Sequence, residues 1–221
     1  MPTYTVRQAA RYLLLPESTL HSWLVGKAYA TKGGERRRAA PVIRPALARS
    51  PLLSFWNLVE AYVLAGIRRE HRVSLQKVRR ALSYVERELD LKRPLIEQEF
   101  LTDGIHLFVE TYGELVNASQ AGQVAMRKML EESLRRVDRD PKGLAERLFP
   151  WSRAPSEPRQ VEIDPRRAFG KLVIAGTGVP TEVIAKRLRA GDSLKHVARD
   201  YRLTTDQVEA ALRWELGITA A

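Results

Sequence analysis

The chain has 221 residues, of which 44% are hydrophobic and 29% charged, a composition typical of a globular protein with ordinary apolar cores. It contains no cysteine, which excludes disulfides, thiolate zinc sites and cysteine nucleophiles. No apolar run approaches the ~20 residues of a membrane span, and residues 1–15 lack a signal-peptide pattern, so we expect a cytoplasmic protein with no membrane partner.

Positive charge is concentrated at the start of the chain. The formal net charge is +11, and residues 1–50 hold nine Lys and Arg against two Asp and Glu. Residues 51–150 hold sixteen against fifteen, and residues 151–221 hold twelve against nine. A local excess of this kind is the electrostatic pattern of a phosphate-binding surface.

Two short helices are predicted first. One begins at a capping box formed by Thr5 and Gln8, and the other begins near Pro16 and ends at Gly26. Two short helices joined by a tight turn are typical of a helix-turn-helix. The side chains expected to be buried are those of Val6, Ala9, Ala10 and Leu13 in the first helix and of Leu20, Trp23 and Leu24 in the second.

A basic β-hairpin is predicted directly after these helices. Residues 27–49 lose helical periodicity and contain Gly33-Gly34 between short β-capable runs, which is a hairpin signal. The stretch holds seven Lys and Arg against a single Glu35. We interpret it as a wing, so that residues 1–50 form a winged helix-turn-helix.

The polar face of the second helix is the predicted DNA reader. Short polar side chains allow close approach to base edges in the major groove, and arginines of the wing suit phosphates or the minor groove. Glu17 opposes this interpretation, because a carboxylate near phosphates costs energy unless it contacts a cytosine amino group. The alternative is an ordinary solvated helix face. The predicted DNA-binding residues are Arg7, Ser18, Thr19, His21, Ser22, Lys27, Lys32, Arg36, Arg37 and Arg38.

The middle region, residues 51–149, is predicted to be helical with one β-hairpin, and to offer a dimerisation or partner surface. Helices are expected over 54–71, 74–91 and about 122–137. Ile105, Leu107 and Val109 alternate, which predicts a hairpin over 105–119.

A linker is predicted at residues 150–160, followed by a C-terminal domain at 161–221. Short strands are expected at 161–163 and 172–174, and a tight turn through Gly176 and Gly178 lacks the residues of a P-loop. Three helices follow, capped by Thr181, by Ser193 and by Thr204 or Thr205. The predicted fold class is therefore mainly α with short β-hairpins, an α+β protein.

Residues 4–13, Tyr-Thr-Val-Arg-Gln-Ala-Ala-Arg-Tyr-Leu, followed by Pro16-Glu17-Ser18-Thr19-Leu20-His21-Ser22-Trp23, resemble the MerR-type winged helix-turn-helix. The resemblance implies DNA binding by the second helix and the wing. MerR regulators continue into a long dimerising coiled coil. This chain departs from them there, since a short helix pair, a hairpin and a further helix are predicted instead.

The C-terminal region is similar to a small bacterial domain of unknown function. The similarity rests on residues 163–180, with Gly178 where that domain commonly has arginine, on Gly191-Asp192-Ser193, and on residues 208–212. That domain is common in antitoxins paired with PIN-domain, VapC-like ribonuclease toxins, and the whole arrangement resembles VapB-type antitoxins. The resemblance implies toxin neutralisation and repression of the antitoxin's own operon. A homodimer is expected, because two half-sites give useful affinity for DNA.

The last helix is acidic, carrying Asp206, Glu209 and Glu215 against Arg213, so phosphate repulsion disfavours it as a DNA reader. A protein partner or a dimer contact suits the C-terminal domain better. Toxin inhibition by an inserted arm would place Arg153 and Arg159 in the toxin, and an ordinary spacer is the alternative for that stretch.

No enzyme and no cofactor are expected. The histidines His21, His71, His106 and His196 are scattered, and no metal-binding motif accompanies them. Two alternatives to the antitoxin stand: a MerR-like transcriptional regulator that responds to a small molecule, and a protein-binding adaptor that does not bind DNA.

Overall fold

The computed structural model describes residues 3–26, 28–30, 34–38, 40–45, 52–70, 75–151 and 156–217, and at 28–30, 36–38 and 68–70 it describes the backbone. Within these ranges helices dominate and small antiparallel sheets accompany them, which confirms the predicted α+β class. The helices are α1 (Val6–Tyr12), α2 (Glu17–Val25), α3 (Phe55–Glu70), α4 (Leu75–Glu88), α5 (Ile105–Val116), α6 (Gln120–Leu134), α7 (Thr181–Arg189), α8 (Leu194–Tyr201) and α9 (Thr205–Glu215). The strands are β1 (Thr3–Tyr4), β2 (Ala28–Ala30), β3 (Arg36–Arg38), β4 (Leu53–Ser54), β5 (Val137–Arg139), β6 (Ala145–Leu148), β7 (Val161–Ile163) and β8 (Leu172–Ile174).

The two N-terminal helices form as predicted. The Thr5 hydroxyl accepts a hydrogen bond from the Gln8 backbone N–H at 3.1 Å, while the Gln8 side chain donates to the Tyr12 hydroxyl instead of reaching back to Thr5. Gly26 ends α2 with φ +75°, a conformation that glycine adopts without strain. The apolar residues predicted to be buried in α1 and α2 are all buried.

The predicted hairpin after α2 is confirmed. Strands β2 and β3 pair antiparallel, with Ala28 opposite Arg38 and Ala30 opposite Arg36. A second short pair, β1 with β4, places Tyr4 opposite Leu53 and so joins the first residues to the start of α3.

Helix α3 begins at a reciprocal cap. The Ser54 hydroxyl accepts from the Asn57 backbone N–H at 3.2 Å, and the Asn57 side-chain oxygen accepts from the Ser54 backbone N–H at 3.2 Å. Both residues are buried, so this cap satisfies backbone donors that water cannot reach.

The predicted hairpin at residues 105–119 is wrong. A wide π turn at Phe100–Gly104 leads directly into α5, whose buried residues include Ile105, Phe108 and Tyr112, at helical spacing. The alternation at the start of this segment is short: Ile105 and Val109, four residues apart, lie on the buried face of a helix that packs against α4 and α6, whereas Leu107 is half-buried on the other side. Helix α6 ends three residues earlier than predicted, and its Val124 is exposed.

A four-stranded antiparallel sheet in the order β5-β6-β7-β8 follows the helices. Strands β7 and β8 match the predicted ones, whereas β5 and β6 were not predicted. Because Leu148 of β6 pairs with Ile163 of β7, the sheet continues on both sides of the predicted linker. The buried guanidinium of Arg136 donates to the carbonyls of Phe149 at 2.7 Å and Glu157 at 2.6 Å, which holds both ends of that stretch.

The three C-terminal helices form as predicted. Ser193 caps α8, and Thr204 caps α9 in a full capping box with Gln207. The expectation that Thr181 caps α7 is wrong, since Pro180 holds the cap position. The Thr181 hydroxyl lies inside the protein, near the carbonyl of Leu172 and the carboxylate of Glu215.

The end of α9 docks on the helix-turn-helix. The guanidinium of Arg11 in α1 donates to the carboxylate of Glu215, whose side chain is only 4% exposed. The other oxygen of this carboxylate accepts from the Thr181 hydroxyl at 2.7 Å. An open groove of about 460 Å³ borders the contact, lined by Leu14 and Leu15 on one side and Trp214 and Leu216 on the other. Among the described residues, none of the helices is both long enough and apolar enough to cross a membrane.

Candidate nucleic-acid interface

The polar face of α2 is available to solvent. Ser18 and His21 are exposed, and Thr19 and Ser22 are half-buried. The Ser22 hydroxyl donates to the Thr19 carbonyl at 2.7 Å, so its oxygen is left to act as an acceptor, the role that suits a base amino group. Behind this face Trp23 is completely buried, which fixes the rotation of α2.

Arg7 extends from α1 beside the first turn of α2. Its side chain is 87% exposed, and its nitrogen Nε lies 3.6 Å from a carboxylate oxygen of Glu17. An exposed ion pair at this separation is weak, so it leaves Arg7 able to exchange Glu17 for a phosphate.

The wing strands place Arg36, Arg37 and Arg38 on β3, hydrogen-bonded to β2. Their side chains, and the predicted contact residues Lys27 and Lys32, lie outside the described part of the chain. The hairpin begins at Ala28, three residues after α2 ends at Val25.

The base of the wing is attached to α2 by its backbone. The N–H groups of Val42 and Ile43 donate to the Trp23 carbonyl at 2.9 and 3.1 Å. Ile43 is fully buried beside α2. The returning end of the wing therefore has a fixed position relative to the predicted reading helix.

Helix α4 holds the same segment from the other side, and the sequence did not reveal this role. The Arg79 guanidinium donates to the Ala40 carbonyl, and Arg44 pairs with Glu86 at 3.4 Å. Burial lowers the pKa of Arg79 and raises the pKa of Glu86, the latter partly opposed by Arg44. In the sequence, this contact is indicated only by the cations on one face of α4. The carbonyl that Arg79 contacts belongs to Ala40, more than thirty residues earlier in the chain.

A buried polar network supports this region. Glu60 of α3 accepts from the Arg93 Nε at 2.9 Å and Nη2 at 2.7 Å, a bidentate pair. Asn57 donates both to Glu60 at 3.0 Å and to the Arg44 carbonyl at 2.8 Å. The wing base is therefore tied to the core of the middle helices.

A cavity bordered by Arg44, Glu60, Glu86 and Arg93 has a volume of about 40 Å³. A cavity of that size holds a water molecule or two and is far below the several hundred Å³ of a typical ligand site. Within the described ranges, no group of three or more His, Cys, Asp or Glu side chains is arranged to hold a metal ion.

Of the two arginines predicted for toxin binding, Arg153 lies outside the described residues. Arg159 is 44% exposed and pairs with Asp138 at 3.3 Å, while its guanidinium lies 4.8 Å from the centre of the Phe149 ring. It also donates to the Arg135 carbonyl. Arg159 is thus held against the four-stranded sheet.

Comparison with known proteins finds a match to a different family model at each end of the chain. Residues 2–82 match the family described as "Putative DNA-binding HTH domain", and residues 161–214 match "Protein of unknown function (DUF433)". The chain is 32% identical to the Mycobacterium tuberculosis protein named "Putative antitoxin VapB45", over 96% of this chain and 93% of that one.

The chain belongs to the VapB45 antitoxin family. A solved structure, the crystal structure of Rv2018 from Mycobacterium tuberculosis, is similar at a TM-score of 0.67 and 27% identity, covering 96% of this chain and 98% of that one. The similarity to both relatives spans nearly the whole chain, so it includes the middle helices and the four-stranded sheet.

In this VapB45-family chain the DNA-binding family match extends through most of α4. It therefore contains both Arg79 and the wing segment that Arg79 contacts. The C-terminal match begins at β7 and ends within α9, one residue before Glu215.

Proposed function

We propose that this protein is the antitoxin of a type II toxin–antitoxin pair. It binds double-stranded DNA in its own promoter, represses its operon, and neutralises a PIN-domain, VapC-like ribonuclease in the cytoplasm. Membership of the VapB45 antitoxin family supports the proposed toxin partner. The match to a DNA-binding domain supports the proposed binding to promoter DNA. It acts as a regulator and not as an enzyme.

The proposed DNA binding rests on one observation: an exposed polar helix, α2, is followed by a basic wing whose base is fixed to it. In a MerR-like arrangement, α2 enters the major groove, where Ser18, Thr19, His21 and Ser22 meet base edges. Arg7 and the wing cations, Lys27, Lys32, Arg36, Arg37 and Arg38, then neutralise phosphates. A homodimer presents two such units to two half-sites.

The first experiment measures binding to DNA from directly upstream of the gene and to scrambled DNA, across a salt series. Wild type is compared with the triple variant Arg36→Ala, Arg37→Ala, Arg38→Ala. We expect specific binding that weakens with salt, and a slope of log K against log salt smaller by up to about 3 in the variant.

The matched control removes three exposed cations from the C-terminal domain, as Lys195→Ala, Arg199→Ala, Arg202→Ala. It makes the same change in net charge, so the control keeps its salt slope if the wing is the contact. Equal, weak binding of wild type to both DNAs would instead favour the alternative, a protein-binding adaptor that does not bind DNA.

For the toxin half, we propose that Arg153 and Arg159 contact the toxin. The ion pair of Arg159 with Asp138 orients it at the edge of the sheet, so that it meets a partner without prior ordering. An Arg153→Ala, Arg159→Ala variant is expected to bind the toxin more weakly in calorimetry. Unchanged affinity would leave this stretch as a spacer.

A further inference from the structure

A large aromatic side chain projects from the C-terminal domain into solvent. Phe169 is 91% exposed, in a chain whose other apolar residues are mostly buried. It lies in the short loop between β7 and β8. Single exposed apolar residues are common, so exposure alone assigns no role.

The backbone of the same loop is strained. Ala168 has φ +45° and Phe169 has φ +56° with ψ +31°, and both precede Gly170 at φ +73°. The left-handed region is natural for glycine and costs free energy in residues with a Cβ. A bulky phenylalanine there gains nothing from burial to offset that cost, which indicates that the ring serves a purpose outside the folded monomer.

The loop is held rigidly from beneath. Asp164, only 2% exposed, accepts from the Arg166 backbone N–H at 2.8 Å, and the Asp164 carbonyl accepts from the Arg167 N–H at 3.0 Å. The Gly170 N–H donates to the Arg167 carbonyl at 2.9 Å. The ring therefore stands on a preorganised support, which lowers the entropic cost of placing it in a partner.

The charges around the ring are already paired. Arg166 contacts Glu146 at 3.0 Å, Arg167 lies within 4 Å of both Glu162 and Asp164, and Lys171 contacts Glu182 at 2.6 Å. A phosphate-binding surface needs cations that are free to neutralise phosphates. An aromatic ring among cations that already have carboxylate partners is instead the arrangement of a protein–protein anchor residue.

The same ion pairs lead to Arg159. Asp138 contacts Arg159 at 3.3 Å and Arg147 at 3.9 Å, and Arg147 reaches Asp164 at 4.0 Å. The loop and the arginine proposed above for toxin binding are thus linked by one chain of ion pairs across the four-stranded sheet.

We propose that Phe169 is the anchor by which this antitoxin docks on its toxin, entering an apolar pocket on that protein. The inference deepens the proposed function and rests on it. Phe169 supplies the desolvated centre of the interface, and the paired side chains of Arg166 and Arg167 supply its rim.

The test uses the full chain and the purified PIN-domain protein of the proposed toxin–antitoxin pair. Isothermal titration calorimetry compares wild type, Phe169→Gly, Phe169→Tyr and Val124→Ala, the last removing an apolar side chain that is 66% exposed on α6. We expect Phe169→Gly to raise Kd at least about 30-fold and Val124→Ala to stay near wild type. Phe169→Tyr should raise Kd less than Phe169→Gly, because it keeps the ring but brings a hydroxyl into the apolar pocket. The thermal midpoint of Phe169→Gly should not fall, since glycine adopts the left-handed backbone conformation of residue 169 without strain.

The outcomes separate the two claims. Toxin affinity unchanged in Phe169→Gly would overturn the anchor while leaving the proposed function intact. Loss of promoter binding with unchanged toxin affinity would also overturn it, and would make the loop a nucleic-acid contact. If wild type itself does not bind the PIN-domain protein, the proposed function fails, and the anchor fails with it.

Discussion

At the scale of a single residue, the Glu17 carboxylate has two opposing electrostatic effects. As an acid in the first turn of α2 it stabilises the helix through the helix dipole, and it lies 3.6 Å from Arg7. On a DNA-bound protein, the same carboxylate would repel phosphates and compete with them for Arg7.

Replacement of the Glu17 carboxylate by a neutral amide should therefore strengthen DNA binding. Glu17→Gln should tighten binding to promoter DNA about three- to tenfold at low salt, because it frees Arg7 and removes one repulsive charge. Fluorescence anisotropy at two salt concentrations measures this, and the gain should shrink at the higher one. Weaker binding would mean that Glu17 itself contacts a base.

Arg136 illustrates a buried cation used for structure. Its guanidinium is desolvated, which lowers its pKa, and it donates to carbonyls at both ends of the stretch between β6 and β7. Removal of the side chain takes this donor away from the buried Phe149 carbonyl and from the half-buried Glu157 carbonyl.

We therefore expect Arg136→Ala to lower the free energy of unfolding by about 2–4 kcal/mol. Urea denaturation measures it, with the exposed neighbour Arg135→Ala as the control. A loss no larger than that of the control would show that the stretch is held by other contacts.

At the scale of elements, α4 acts as a brace for the wing. Arg79 reaches the Ala40 carbonyl, and Arg44, next to the wing, pairs with Glu86 of the same helix. The brace fixes where the wing leaves the core, so in the proposed function it influences DNA affinity without touching DNA.

Loss of the contact between Arg79 and the wing segment should weaken DNA binding, because the loosened segment must become ordered again on DNA. We expect Arg79→Ala to raise Kd for promoter DNA roughly three- to tenfold, the cost of ordering a loosened segment. Arg80→Ala removes an adjacent exposed cation and is the matched control for charge. A similar loss in both variants would point to direct phosphate contact by α4 instead of bracing.

Elements marked by local patterns could be predicted from the sequence. Helix caps at Thr5, Ser193 and Thr204, and the apolar stripe containing Trp23, depend on neighbours within a few residues. For the same reason the hairpin of the wing was predicted from a glycine pair within a basic run.

Elements decided by distant partners could not be predicted. Helix α5 begins with alternating apolar residues, and only its packing between α4 and α6 shows that the helical period prevails. Strand β5 has three residues, and β6, the strand that it pairs with, joins the rest of the sheet only through β7, beyond residue 160. In the candidate interface, the face of α2 followed from its pattern, whereas Arg79 and Glu86 became visible only in the fold.

At the scale of the whole molecule, the two ends of the chain meet. Arg11 of the helix-turn-helix contacts Glu215 at the end of α9, and Thr181 of α7 shares that carboxylate. A buried carboxylate is stable only with such partners, so the contact joins the DNA-binding end to the C-terminal domain.

A double-mutant cycle tests this coupling. Arg11→Ala should destabilise the protein more in the wild-type background than in Glu215→Gln, with a coupling free energy of about 1–3 kcal/mol. Chemical denaturation of the four proteins gives the value, and Glu209→Gln, an exposed acid of α9, serves as the control. Additive effects would mean that the two ends are energetically independent.

The pairing of β6 with β7 has a consequence for proteolysis. The chain between Trp151 and Ser156 joins two strands that are already hydrogen-bonded neighbours in one sheet. A single cut there would create two fragments that remain bound to each other, through the sheet and through Arg11 and Glu215. A nicked molecule would elute as one species by gel filtration and separate into two only after denaturation.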